Sequence, residues 1–143
     1  AGLNATPQLV APGCYDLVDI VGWEPVPEKW ANHQKRPHNR LLLNIILNAD
    51  ERIEVAHAHA RQLAVAKGPT ALLLPERGLG EWDREGAELH DMAGLTGFLH
   101  ALEAACPPNV TLHRVDCHIN DAEFADKALE IFDGWRADGR VAG

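Results

Sequence analysis

The chain is 143 residues long, carries a formal net charge of −8 at pH 7 and is 46% hydrophobic. That length supports one domain with a substantial core, and its longest apolar run, Leu41-Leu42-Leu43-Asn44-Ile45-Ile46-Leu47, is far too short to span a bilayer. Lys and Arg are scattered, so no basic patch argues for nucleic acid, whereas a small anion such as a nucleotide remains within reach because local backbone N–H groups can outweigh the global charge.

In chain order the elements alternate. Gln8-Leu9-Val10-Ala11 reads as a short strand ending at Pro12-Gly13. Residues 14–39 read as irregular, with Pro and Gly recurring between Gly22 and Pro37 and with Trp23 and Trp30 as loop-anchoring hydrophobes. Residues 41–47 read as a buried strand, 48–67 as a helix, 70–74 as a strand, 75–90 as a Gly- and charge-rich loop, 91–105 as a helix, 110–115 as a strand and 120–135 as a helix. The tail from 136 to 143 is expected to fray. Alternation of this kind predicts an α/β fold, a three-layer domain with a mostly parallel sheet of the Rossmann or flavodoxin type. Four strands are few for a doubly wound domain, so residues 1–143 are expected to be the later part of a larger one. The start at Ala1 rather than Met points to a processed product or an excised fragment.

The helix boundaries have physical signals. Asn48 with Glu51, and Asn120 with Glu123, match N-caps with an acid at the third helical position. Lys67-Gly68-Pro69 reads as a stop. The expected core stripes are Ile53, Ala56, Ala60, Leu63 and Ala64 in the first helix, Leu95, Phe98, Leu99 and Leu102 in the second, and Phe124, Ala128, Leu129, Phe132 and Trp135 in the third.

Ligands in α/β proteins gather at the carboxyl ends of strands, beside helix N-termini. Asp116-Cys117-His118-Ile119-Asn120-Asp121 occupies such a turn. Helix capping accounts for much of Asn120 and Asp121. Asp116 and His118 remain, a carboxylate and an imidazole suited to acid–base chemistry. Arg77-Gly78-Leu79-Gly80 follows the strand at 70–74. Its glycines would let the backbone approach a ligand closely, and Arg77 could hold a phosphate or carboxylate in its planar fork. Gly13 and Asp16 follow the first strand, at the same edge. His38 and Asn39 would need a long loop to fold back to it.

Other candidates carry less. His57 and His59 point to different helix faces and cannot share an ion, and His113 sits within a strand. No HExxH, CxxC, EF-hand, GxSxG or Walker A pattern occurs, so a metal site is not expected. Cys14, Cys106 and Cys117 have no paired spacing, which favours reduced thiols and a cytoplasmic setting. Cys117, just before a helix N-terminus, is expected to have a stabilised thiolate.

The ordered pieces Pro12-Gly13-x-x-Asp16, His38-Asn39, Pro75-x-Arg77-Gly78, Asp83 to Asp91, and Asp116-x-His118-Ile119-Asn120-Asp121-x-x-Phe124-Ala125 form a wider pattern. It resembles the C-terminal half of the ATP-binding family typified by a plant inhibitor of tomato mosaic virus RNA replication, across roughly residues 5–135. The resemblance implies two α/β subdomains, often beside a TIM-barrel domain, and a tendency to dimerise. The plant member binds ATP and blocks replication by contact with a viral replication protein. No established catalytic mechanism comes with the family. The sequence departs from the family pattern at Gly80, where Ser is usual, and at Leu89, where an aromatic is usual.

The expectation is therefore a nucleotide-binding α/β domain whose ligand residues are Gly13, Asp16, His38, Asn39, Arg77, Gly78, Asp116, His118 and Asn120. ATP is the ligand that the resemblance implies. The expected partners are an N-terminal subdomain and a second copy of the chain, with neither nucleic acid nor membrane. An enzyme of a small carboxylate- or phosphate-bearing metabolite, with Asp116 and His118 as its acid–base pair, is the first alternative. A structural half-domain that docks a partner subdomain is the second.

Overall fold

A computed structural model describes residues 4–141. In chain order they form β1 (Gln8–Val10), β2 (Leu17–Val21), a 3-10 turn (Glu28–Trp30), β3 (Lys35–Pro37), β4 (Leu42–Ile46), α1 (Ala49–Leu63), β5 (Thr70–Pro75), α2 (Met92–Ala104), β6 (Thr111–Val115) and α3 (Ala122–Ala137). β5 is the centre of a parallel sheet ordered β1-β5-β6, with Leu9 level with Ala71 and Leu73 level with His113. Every residue of β5 is buried, which explains its unbroken apolar run: a parallel strand covered on both faces has no reason to alternate. Leu72 and Leu74 face Ala56, Ala60 and Leu63 of α1 and Leu95, Phe98, Leu99 and Leu102 of α2. Ala71 and Leu73 point the other way, toward Phe124, Ala128, Ile131 and Trp135 of α3. Two helices, a parallel sheet and a third helix make the three α/β layers that the alternation of elements predicts.

The strand at residues 41–47 forms, but in a different place. β4 is the middle of a separate antiparallel sheet ordered β2-β4-β3. Residues 14–39, expected to be irregular, supply both of its partners. Asp16 stands just before β2 and Asp19 interrupts its apolar run, and a Gly- and Pro-rich stretch follows it at once. β3 is three residues long and ends in Pro37, which is tolerated because the strand lies at a sheet edge.

The helix ends divide in the same way. At α1 the capping box is present: Asn48 Oδ1 accepts from the Glu51 N–H at 3.0 Å, and Glu51 Oε2 accepts from the Asn48 N–H at 2.9 Å. That helix ends at Leu63, a turn before the expected stop at Lys67. Asn109 Nδ2 donates to the carbonyls of Leu63 and Ala66, at 3.2 and 3.0 Å, so a side chain from outside the helix satisfies its end. At α3 the N-cap position is Asp121 rather than Asn120, and its side chain does not cap. α3 buries Phe124 and half-buries Ala128, Ile131 and Trp135, whereas Leu129 and Phe132 of the expected stripe stay exposed. The helix continues through Ala137 and closes with the Arg140 N–H donating to the Trp135 carbonyl at 2.8 Å. Ala142 and Gly143 of the tail expected to fray lie outside the described residues. No described helix is long and apolar enough to cross a membrane.

Candidate functional site at the carboxyl edge of the parallel sheet

The parallel register delivers three turns to one edge, after Val10, Pro75 and Val115. Backbone bonds join them. The Cys14 N–H donates to the Leu79 carbonyl at 2.8 Å, the Arg77 N–H to that of Cys117 at 3.1 Å, and the Ile119 N–H to that of Gly78 at 3.2 Å. Arg77 then meets Asp116 in a fork, Nε to Oδ1 at 2.8 Å and Nη2 to Oδ2 at 2.9 Å. Both side chains are exposed, and the hydrogen bond and charge of Arg77 hold the Asp116 carboxyl below its ordinary value.

Asp116 and His118, adjacent in the pattern, do not face one another. His118 is 2% exposed. Its Nδ1 accepts the Asn120 N–H at 3.1 Å, so the ring proton sits on Nε2 and is donated to Asp83 Oδ1 at 2.9 Å. Asp83 also accepts the N–H groups of Leu79 at 2.5 Å and Gly80 at 3.1 Å. Asp83 thus clasps the loop after β5 to the turn after β6, a role that sequence reading did not assign to it. The signal was there: an acid placed three and four residues after Gly80 and Leu79, within reach of their N–H groups. Gly78 explains the space between them. Its φ is +138°, and a Cβ there would lie 2.4 Å from His118 Cδ2 and 2.7 Å from Asp83 Oδ1. The backbone's close approach at Gly78 is therefore to His118 and Asp83.

The remaining candidates fall into two groups. Gly13, Asn39 and Asn120 have local jobs. The Gly13 N–H closes onto the Ala11 carbonyl at 3.0 Å. Asn39 Oδ1 accepts the N–H groups of Leu41 and Leu42, at 2.7 and 3.0 Å. Asn120 Nδ2 donates to Glu81 at 3.0 Å. Asp16 and His38, by contrast, line a cavity of about 190 Å³ with Cys14, Asp19, Asn44, Trp82 and Asp83. Burial is the main cause that pushes the Asp16 carboxyl up, and His38 packs edge-on against Trp82 with ring centroids 5.3 Å apart.

A second cleft, of about 550 Å³, is lined by Arg77, Arg84, Glu85, His90, Met92, His118 and Asp121. Arg84 Nη1 donates to Asp121 Oδ1 at 2.8 Å, and the other Asp121 oxygen accepts the His118 N–H at 2.9 Å. Those two bonds, Arg84 first, hold the Asp121 carboxyl below its ordinary value. Asp83 lines the smaller cavity and His118 the larger, so their hydrogen bond lies between the two.

One further expectation is corrected. Cys117 is buried and its thiol is pushed up rather than down, first by burial and then by Asp121, Glu123 and Asp116. His57 and His59 do part as their spacing requires: His59 is buried and bonds through Nδ1 to the Tyr15 hydroxyl at 3.1 Å, whereas His57 is exposed. Trp30 does anchor its loop, donating to Glu51 Oε1 at 3.2 Å. Among the described residues no group of three or more His, Cys, Asp or Glu is placed to hold a metal ion.

Fold and edge together define a Rossmann-like α/β domain whose polar turns converge where the parallel strands end. The chain belongs to the UPF0261 family: the profile described as "Uncharacterised protein family (UPF0261) C-terminal domain" matches residues 1–136. A UPF0261 protein of Brucella melitensis is 41% identical over 141 residues, covering 99% of this chain and 34% of that protein. A UPF0261 protein of Clostridium tetani is 31% identical over 120 residues, covering 83% and 30%. The ToMV resistance protein Tm-1 of Solanum lycopersicum is 23% identical over 128 residues, covering 88% and 17%. The resemblance seen in the ordered motifs is therefore a family relationship. The chain spans about a third of the length of the bacterial relatives it matches.

Proposed function

We propose that this domain supplies the anion-binding part of a nucleotide-binding protein, with phosphates seated in the cleft between Arg77 and Arg84. The supporting observation is the pair of guanidinium groups on one cleft, each oriented by a carboxylate from the turn after β6, Asp116 for Arg77 and Asp121 for Arg84. An exposed ion pair contributes only about 0–1 kcal/mol. A phosphate accepts from both guanidinium groups with more charge, so it can displace Asp116 at small cost and take the single Arg84 bond while Asp121 keeps the His118 N–H. ATP is the nucleotide that the resemblance favours. The rest of the full-length protein and a second copy are expected to complete the site, and reduced thiols with an acidic surface fit a cytoplasmic setting.

No catalytic step is assigned to Asp116 and His118. Both ring nitrogens of His118 are engaged by Asp83 and the Asn120 N–H, which gives the residue a positioning role. Calorimetric titration of the intact protein with ATP tests the reading. Arg77→Ala and Arg84→Ala should each weaken binding about 10- to 100-fold, the loss of one charge-assisted hydrogen bond of about 1.5–3 kcal/mol. Unchanged affinity in both variants would refute it.

A further inference from the structure

The smaller cavity has a chemistry unlike that of the arginine cleft. Asp16 and Asn44 line it at 4% and 1% exposure. Asp16 Oδ1 and Asn44 Oδ1 are both buried with no hydrogen-bond donor. Leaving one buried acceptor unsatisfied costs about 1–3 kcal/mol, more if it is charged, so two on one cavity call for an explanation. The Asn44 amide cannot relieve the deficit by turning over. Its Nδ2 donates to Asp19 Oδ1, and the reversed amide would set oxygen against oxygen. A bound group that carries several N–H donors would satisfy both oxygens at once.

The walls say which kind. Asp16, Asp19 and Asp83 line the cavity with Glu81, and among the described residues no Lys or Arg does. The Cys14 thiol registers this field: after burial, the causes that push it up are Asp16, Asp83 and Asp19. Such a lining rejects phosphate and attracts a cation. It does not offer a cage for a bare metal ion. Leu17, Leu89 and Trp82 supply apolar wall beside the oxygens, which suits a carbon stem. The volume of about 190 Å³ equals about six water molecules, room for a head group and a few carbons.

We infer that this cavity, between the antiparallel sheet and the loop after β5, is a binding site for a primary ammonium group on a short apolar stem, which donates its N–H groups to Asp16 and Asn44. The site is independent of the anion cleft, and the two can fail separately.

The test is a titration of the purified intact protein with n-butylammonium, followed by calorimetry and by NMR of the Asn44 side-chain amide and the Trp82 indole. Butyltrimethylammonium, which has the charge without N–H donors, and butyrate are the controls. Saturable shifts at Asn44 and Trp82 with the primary amine, at least tenfold weaker with the quaternary one and absent with butyrate, are expected. Asp16→Asn, which keeps shape and removes charge, should weaken the amine about tenfold. No saturable shift at Asn44 and Trp82 in the millimolar range, or equal response to both amines, would overturn the inference. Amine binding without ATP binding would retire the anion reading alone, and the reverse would retire this one.

Discussion

Substituting Gly78 by Ala should disrupt the clasp between the loop after β5 and the turn after β6. The new Cβ would sit 2.4 Å from His118 Cδ2 and 2.7 Å from both His118 Nε2 and Asp83 Oδ1, at a φ of +138°. The backbone conformation alone costs roughly 1–3 kcal/mol for a residue with a side chain. Overpacking adds roughly 1–3 kcal/mol. Displacing His118 breaks a hydrogen bond to a carboxylate, worth about 1.5–3 kcal/mol. These contributions overlap, because moving His118 relieves the clash, so a loss of about 3–5 kcal/mol is expected. For a chain of 143 residues that is a fall in Tm of about 10–15 °C. Urea unfolding should show the same loss as a lower midpoint at unchanged slope. Gly80→Ala is the control, since its Cβ would meet only Cys14 Sγ at 3.4 Å. It should stay within about 1 kcal/mol of wild type. A Gly78→Ala protein that melts within about 2 °C of the parent would refute the clasp.

Other outcomes follow from the same geometry. The folded chain holds the Asp16 carboxyl above its ordinary value, chiefly by burial, so between the two values it binds more protons than the unfolded chain and loses stability as pH rises. Asp16→Asn should flatten that slope and melt higher than wild type at pH 8, by about 1–2 kcal/mol; a lower melting point in thermal scans would contradict this. Asp116 behaves in the opposite sense. Arg77 depresses its carboxyl, so the pair's contribution is present above the ordinary Asp value and disappears as pH falls through the depressed one. In Arg77→Ala, carboxyl NMR should show the Asp116 titration moving up toward that of an ordinary aspartate, and an unmoved titration would show that Arg77 is not the cause. Both thiols are pushed up, so access decides: the buried Cys117 should be alkylated by iodoacetamide after the exposed Cys14, and faster labelling at Cys117 by peptide mapping would count against its burial.

What could be read from residues alone tracks how local the physics is. The unbroken Ala71-Leu72-Leu73-Leu74 run could be read as a strand because burial on both faces leaves a one-dimensional mark, although its central place could not. Arg77 and Asp116 could be placed at one edge because each follows the end of one of two adjacent parallel strands. The Asn48 box could be read because all its partners lie within four residues. The antiparallel sheet could not: Asp16 and Asp19 look like loop residues until β4 is set beside β2, and only then does Asn44 face Asp19. The partner of His118 was missed for the same reason. Asp116 is near it in sequence, but the chain bends after β6, so Asp116 stays exposed beside Arg77 while His118 is buried and reaches Asp83. Asn120 reads as a cap by spacing, yet the helix starts one residue later and Asn120 bonds to Glu81.

Everything proposed for the function depends on phosphates occupying the cleft between Arg77 and Arg84. A crystal structure of the full-length protein soaked with ATP tests it most directly. Phosphate oxygens are expected within hydrogen-bond distance of both guanidinium groups, with Asp116 and Asp121 released from them. ATP bound elsewhere on the protein, with the Arg77–Asp116 and Arg84–Asp121 pairs intact, would contradict it.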